Sequence, residues 1–184
     1  MIIYDTETNG LLKHSDLPLD QQPGIIELGI LKLDDRTLEE VDRMSVLVRP
    51  KVLPLDPTIT KITGITTEML TPAPTFARFL PRMIDMFLGE RQIVAHNLPF
   101  DLGMTLVELR RLDYVTKFPW PPLQTDTTTL ASDIPGASHT GRHKQAALYK
   151  IAFGEEPPVT HRAVEDSETL AQIVRWLRAL DNRI

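Results

Sequence analysis

The chain has 184 residues, 42% of them hydrophobic and 24% charged, with a net charge of −5 and no cysteine. This length suits one domain with a full core, the lack of cysteine excludes disulfides, thiolate metal sites and a cysteine nucleophile, and the acidic balance argues against a broad basic surface for gripping duplex nucleic acid. No apolar run approaches the ~20 residues of a membrane span, and the N-terminus lacks a basic region followed by an apolar stretch, so the expectation is one cytoplasmic domain over 1–184 with no membrane partner.

Met1-Ile2-Ile3-Tyr4 is an apolar run that reads as a buried strand, continuing into Asp5-Thr6-Glu7-Thr8 and breaking at Asn9-Gly10. Side chains alternate along a strand, so Asp5 and Glu7 share a face with their charges a few ångströms apart. Like charges that close repel unless water, a proton or a cation stands between them, and a hard divalent cation is the natural third party. Taken alone, Asp-x-Glu also reads as a pair of solvated acids at a strand–turn junction.

Residues 12–24, with Pro18, Pro23 and Gly24, read as a loop. Ile25–Leu33 predicts a second strand, 34–37 a turn and Val41–Val48 a third strand, completing an antiparallel meander. The acids at 34–42 read as a solvated hairpin tip without chemistry. After the proline-rich connection Lys51–Pro57, Asp56 or Thr58 caps a short helix ending near Gly64, and Thr66-Thr67-Glu68 opens another turn. Thr75 caps a helix over Phe76–Leu88, in which Phe76, Phe79, Leu80, Met83, Ile84 and Phe87 recur at helical spacing and mark core.

Gln92–Ala95 predicts a short buried strand, and its exit carries His96-Asn97-Leu98-Pro99-Phe100-Asp101. Pro99 suits the first turn of a helix running to about Leu112, which puts Asp101 in that opening turn. Stabilising the helix dipole is the competing role for this acid. Asp113–Pro122 is irregular, Leu123–Thr127 predicts a fifth strand with Asp126 capping a short helix, and Ser132–Arg142 reads as a mobile polar loop. His139 and His143 are four apart, but Gly141 lies between them and no further ligand is near, so they carry little weight as a zinc site.

A helix over 143–153 stops at Gly154, and Pro157-Pro158 keeps the next loop extended. The stretch His161-Arg162-Ala163-Val164-Glu165-Asp166 then leads into a long helix to about Leu180. Ala163, Leu170 and Ile173 fall at i−3, i+4 and i+7 from Asp166, which sets its carboxylate on the buried stripe, where it requires a partner. His161 must sit in the preceding loop or the first turn to approach the same place.

In chain order, Asp5 and Glu7, then Asp101, then His161 and Asp166 resemble the pattern of the DEDDh 3′–5′ exonucleases, over nearly the whole chain. Asp5-Thr6-Glu7-Thr8-Asn9-Gly10-Leu11 is similar to the family's first motif, and Ile62-Thr63-Gly64-Ile65-Thr66 to its intermediate signature. Ala147-Leu148-Tyr149-Lys150 and His161-Arg162-Ala163 resemble the exonuclease X branch, and the chain also resembles the proofreading subunits of bacterial replicative polymerases. The resemblance implies an α/β, RNase H-like fold: a mixed five-stranded sheet of order 3-2-1-4-5 flanked by helices.

The resemblance also implies two divalent ions, Mg²⁺ or Mn²⁺. Asp5, Glu7 and Asp166 would hold one directly, Asp5 would help bridge to the second, Asp101 would act through bound water, and His161 would accept a proton. The implied substrate is a nucleic acid 3′ end, with single-stranded or frayed DNA favoured, and a polymerase or replication partner is implied too. Thr6, Gly10, Leu11, Ile62, Thr63, His96, Asn97 and Phe100 are the candidates for substrate contact, with Leu11, Ile62 and Phe100 packing on unstacked bases. Core packing is the competing role for Phe100 and Ile62. Thr63 stands where the proofreading subunits have histidine, a change that spares the metal ligands but bears on sugar and phosphate contacts. The alternatives are an exoribonuclease with the same site and a catalytically silent strand-end or polymerase-recruiting module, against which the complete acid set and His161 argue.

Overall fold

The computed structural model describes residues 1–136, 142–158 and 161–181. Strands β1 (Ile2–Thr8), β2 (Ile25–Leu33), β3 (Glu40–Leu47), β4 (Gln92–Ala95) and β5 (Leu123–Asp126) make one sheet in the order β3-β2-β1-β4-β5. β1 pairs antiparallel with β2 and parallel with β4, so the sheet is mixed and β1 runs through its middle, as expected. A central strand is buried on both faces and therefore reads as an unbroken apolar run. Ile2, Ile3 and Tyr4 are all fully buried.

Alternation along β1 divides the core in two. Ile2 and Tyr4 join a cluster with Phe76, Met83 and Phe87 of helix α3 (Phe76–Phe87) and Met104 and Leu109 of helix α4 (Leu98–Arg111). Ile3 joins Leu31, Val94, Leu170 and Val174, the last two from the long helix α7 (Ala163–Asp181). Helices thus cover both faces, α3 and α4 on one and α7 on the other.

Local chemistry sets the remaining elements. Asp56 accepts from the Thr58 amide at 2.7 Å to start helix α1 (Pro57–Thr63), and Gly64 ends it in the left-handed region at φ 70°. Thr66 opens helix α2 (Thr67–Leu70), and Asp126 opens helix α5 (Thr127–Leu130) by accepting from the Thr128 amide at 3.0 Å. Helix α6 (Gln145–Phe153) ends at Gly154, also left-handed. Thr75 occupies the cap position of α3, but its hydroxyl makes no capping bond, and Met86 joins the buried stripe that sequence spacing had drawn without it.

The loop at 12–24 is tied down rather than loose. Arg111 Nη2 donates to the carbonyls of Leu19, Gln22 and Pro23 at 2.8–3.1 Å, and Glu108 Oε1 accepts from Arg111 Nη1 at 2.8 Å and the Ile25 amide at 3.2 Å. The acids at 34–42 also have structural partners: Asp42 pairs with Arg82 of α3, and Arg43 bridges Glu40 and Glu168 of α7. His143 is buried, with Nε2 donating to the Ile134 carbonyl at 3.0 Å. His139 and the centre of the expected 132–142 loop lie outside the described residues. No described helix is long and apolar enough to cross a membrane.

Candidate active site

The alternation that splits the core also sorts the acids at the end of β1. Asp5 and Glu7 follow Ile3 onto the α7 face, where the first turn of α7 presents Asp166. Carboxylate oxygens of Asp5, Glu7 and Asp166 all lie within 4.8 Å of one another. Asp166 is brought there by its own helix: Leu170, one turn on, is buried against Ile3 and Val94 of the sheet, and Ile173, two turns on, is buried against Leu148 and Tyr149 of helix α6.

Asp101 reaches β1 from the other face. It rides on the opening turn of α4, and its Oδ1 accepts from the Thr6 hydroxyl at 2.7 Å and the Thr6 amide at 3.1 Å. Behind it, Tyr4 donates to the Thr105 hydroxyl at 2.7 Å, and Thr105 donates to the Asp101 carbonyl at 2.8 Å. Asp101 therefore approaches the strand end from the α4 side, with its orientation fixed by Thr6 and its charge felt by Asp5.

The electrostatics follow from this crowding. Burial, then the charges of Asp101, Glu7 and Asp166, hold the Asp5 carboxyl well above the usual carboxylate range. Burial, then Asp166 and Glu27, push Glu7 up to about 8. Burial raises Asp166 too, while His161 draws it back. Asp101 is pushed up to about 7 by burial, against the lowering effect of its Thr6 bonds. Hard oxygen donors converging at this spacing, each made reluctant to ionise by burial and by neighbouring acidic charge, are the donor set that a divalent cation relieves.

His161 lies in the loop just before α7, exposed and in the left-handed region at φ 45°, a conformation for which histidine is among the more tolerant residues. With Asp166, Lys144, Gln145, Pro157 and Pro158 it lines a cavity of about 250 Å³. Gln145 donates from Nε2 to the Asp166 backbone carbonyl at 2.7 Å, which ties the start of α6 to the first turn of α7.

The residues expected to meet substrate divide into two groups. Leu11 is 78% exposed and Ile62 51% exposed, so Ile62 is not the core residue that its apolar character allowed. Asn97 is exposed, with φ 77° at the start of α4, Gly10 is half-buried, and Phe100 is half-buried against the α3–α4 core. Thr6, Thr63 and His96 commit their side chains to internal partners. Thr63 donates to the Ile59 carbonyl at 3.0 Å and accepts from the Ile65 amide at 3.1 Å. His96 Nε2 donates to the His143 carbonyl at 3.0 Å and Nδ1 bonds with the Thr127 hydroxyl at 2.9 Å, while burial holds its imidazole below the usual range.

Sequence reasoning passed over Glu27 and Arg162. Glu27 faces Glu7 in the β1–β2 register and is buried, with its carboxylate bonded to the Arg162 guanidinium. The signal was an acid inside the apolar run Ile25-Ile26-Glu27-Leu28, since a buried carboxylate needs a partner.

Comparison with known proteins gives a consistent picture. The family model described as Exonuclease matches residues 2–174. The chain is 32% identical over 177 residues to the DNA polymerase III PolC-type protein of Clostridium perfringens, covering 95% of this chain and 11% of that protein. It is 28% identical over 173 residues to the DNA polymerase III subunit epsilon of Pasteurella multocida, covering 94% of this chain and 65% of that protein. It therefore spans less than two thirds of either relative. Among solved structures, exonuclease X in complex with 5′ overhanging duplex DNA superposes with a TM-score of 0.64 at 27% identity, covering 98% of this chain and 92% of that one.

Proposed function

The chain belongs to the exonuclease family, and on that premise we propose that it is a 3′–5′ exodeoxyribonuclease that uses two divalent ions, Mg²⁺ or Mn²⁺, to release nucleoside 5′-monophosphates from DNA 3′ ends in single strands or frayed duplexes. The observation that carries this reading is the convergence of Asp5, Glu7 and Asp166 at the end of the central strand, with Asp101 fixed behind them. Asp5, Glu7 and Asp166 would hold one ion, and Asp5 with Asp101 would serve the second. Such ions supply positive charge to the attacking and leaving oxygens and make water a stronger acid.

The remaining work falls to the protein. His161, which lines the cavity together with Asp166, accepts the proton of the attacking water, a task suited to an imidazole near neutral pH. Water attacks the terminal phosphorus, the bond from phosphorus to the 3′ oxygen breaks, and that oxygen leaves as the new 3′ hydroxyl of the shortened strand. Leu11 and Ile62 offer exposed apolar surface on which unstacked bases can pack without regard to sequence. Gly10, Asn97 and Phe100 complete the contact surface, while Thr6, Thr63 and His96 shape it from within. The polymerase names carried by relatives support association with a replicative polymerase as part of the same reading.

The test is product analysis on matched 5′-labelled single strands of DNA and RNA with Mg²⁺ or Mn²⁺. The expected result is a ladder shortening from the 3′ end, faster on DNA, absent in Asp5→Ala and slowed by roughly 10²–10⁴ in kcat in His161→Ala. Faster trimming of RNA would reassign the substrate, and full activity in Asp5→Ala would remove the assignment altogether.

A further inference from the structure

Glu27 and Arg162 have no part in the reaction just described, yet they join the two elements that it depends on. Glu27 is on β2, opposite Glu7, with 1% of its side chain exposed. Arg162 directly follows His161 and precedes α7. Its Nη2 donates to Glu27 Oε1 at 2.6 Å, its Nε donates to Oε1 and Oε2 at 3.0 and 3.1 Å, and the Ala163 amide donates to Oε2 at 2.9 Å. One carboxylate thus grips both the guanidinium and the first amide of the helix that carries Asp166.

The same turn is seated on β2 by shape. A Cβ added at Gly29 would overlap the carbonyl of Ala163 and the amide of Val164, so backbone meets backbone there. Ser167 donates to the Gly29 carbonyl at 3.1 Å, closing the contact on the next turn. A fourth acid beside Asp5, Glu7 and Asp166 adds repulsion to a crowded site, and burying an ion pair is a poor source of net stability. Its geometry is what it offers: bidentate bridges to arginine fix angle as well as distance.

We propose that Glu27 and Arg162 are a positioning pair that sets the first turn of α7 against β2, keeping Asp166 within ligand reach of Asp5 and Glu7 and His161 in the lining of the cavity that Asp166 shares. This rests on the reading of those three acids as metal ligands. The experiment measures Mn²⁺ binding to the full chain, from the paramagnetic resonance of free Mn²⁺, for Glu27→Gln, Arg162→Gln and Arg162→Lys, alongside thermal unfolding and kcat and KM on a single-stranded oligonucleotide.

Glu27→Gln and Arg162→Gln should each raise the Mn²⁺ dissociation constant roughly 10–100-fold, as expected when a group orienting a ligand is lost. They should lower kcat in step while leaving KM nearly unchanged. The sign for Arg162→Gln is decisive. Removing a cation beside the acids would tighten Mn²⁺ binding if charge alone mattered, whereas positioning requires it to loosen. Binding by Arg162→Gln as tight as in the unsubstituted chain, or tighter, overturns the proposal. Should Arg162→Gln fail to unfold cooperatively, Arg162→Lys decides, because it keeps the charge but cannot form the fork: a looser site supports positioning and an unchanged one refutes it. Asp5→Asn separates the two layers. Mn²⁺ binding that survives Asp5→Asn defeats the metal-site reading itself, while loss in Asp5→Asn with normal binding in the Arg162 variants defeats only the pair.

Discussion

Replacing Glu7 by glutamine should make the protein more stable without metal and less stable with it. The Glu7 carboxyl is pushed from 4.5 to about 8 by burial and by the charges of Asp166 and Glu27. Between those values the native state holds the proton that the unfolded chain has released. Native binds more protons than unfolded, so stability is greatest at the acid end and falls as pH climbs toward about 8. At about 1.4 kcal/mol for each pH unit the interval corresponds to about 5 kcal/mol at most. Water reaching the pocket and sharing of protons with Asp5 and Asp166 reduce this, and we expect about 2 kcal/mol, or roughly 4–8 °C in Tm for a chain of this size.

Glutamine keeps the shape and removes the charge, so metal-free Glu7→Gln should melt higher at pH 8, match the unsubstituted protein near pH 5, and show a shallower dependence on pH between. Mn²⁺ reverses the ranking. At a hundredfold excess over its dissociation constant a ligand of the native state contributes about 2.7 kcal/mol, most of which the variant forgoes. The assay is thermal unfolding at several pH values with and without Mn²⁺. A metal-free variant that melts lower at pH 8, or equal Mn²⁺ shifts in the two proteins, would refute the reasoning.

Thr6→Val removes the hydroxyl that bonds Asp101 at 2.7 Å; leaving that buried carboxyl short of a donor should cost about 1–3 kcal/mol in urea unfolding and lower kcat. Full activity in Thr6→Val would show that Asp101 needs no such anchor. Gly29→Ala forces a side chain into the backbone of Ala163 and should destabilise by about 1–3 kcal/mol, as overpacking does. An effect within about 0.5 kcal/mol, the range of an ordinary surface change, would contradict the close approach.

The strands were legible because each apolar run ends in a residue that stops it: Asn9-Gly10 after β1, Gly24 before β2 and Asp34-Asp35 after it. Asp56 and Asp126 announced their helices by the same local logic. Period two brought Asp5 and Glu7 to one face, and period 3.6 turned Asp166 inward, where the structure gathers all three. What local pattern cannot convey is which face of the sheet a helix covers. Asp101 reads correctly as the opening turn of a helix, but only the passage of α4 over the Tyr4 and Thr6 side brings it to the strand end from that face. Glu27 escaped notice for a related reason, as its partner Arg162 lies in a distant part of the chain. Ile62 is apolar yet half exposed, which its residue type alone does not convey.

Asp5 lies on β1 and Asp166 far along the chain on α7, with β2 as the seat between them. Nothing upstream of residue 166 can assemble the trio, so the nascent polypeptide emerges without it and gains it only on docking of α7. The same holds for the finished molecule in reverse. If α7 lifts from Gly29 in a local opening, the acids disperse while the sheet persists, since segments of a fold open at their own free energies. The carboxylate trio is then confined to molecules whose α7 is in place, and a partly opened copy lacks that donor set.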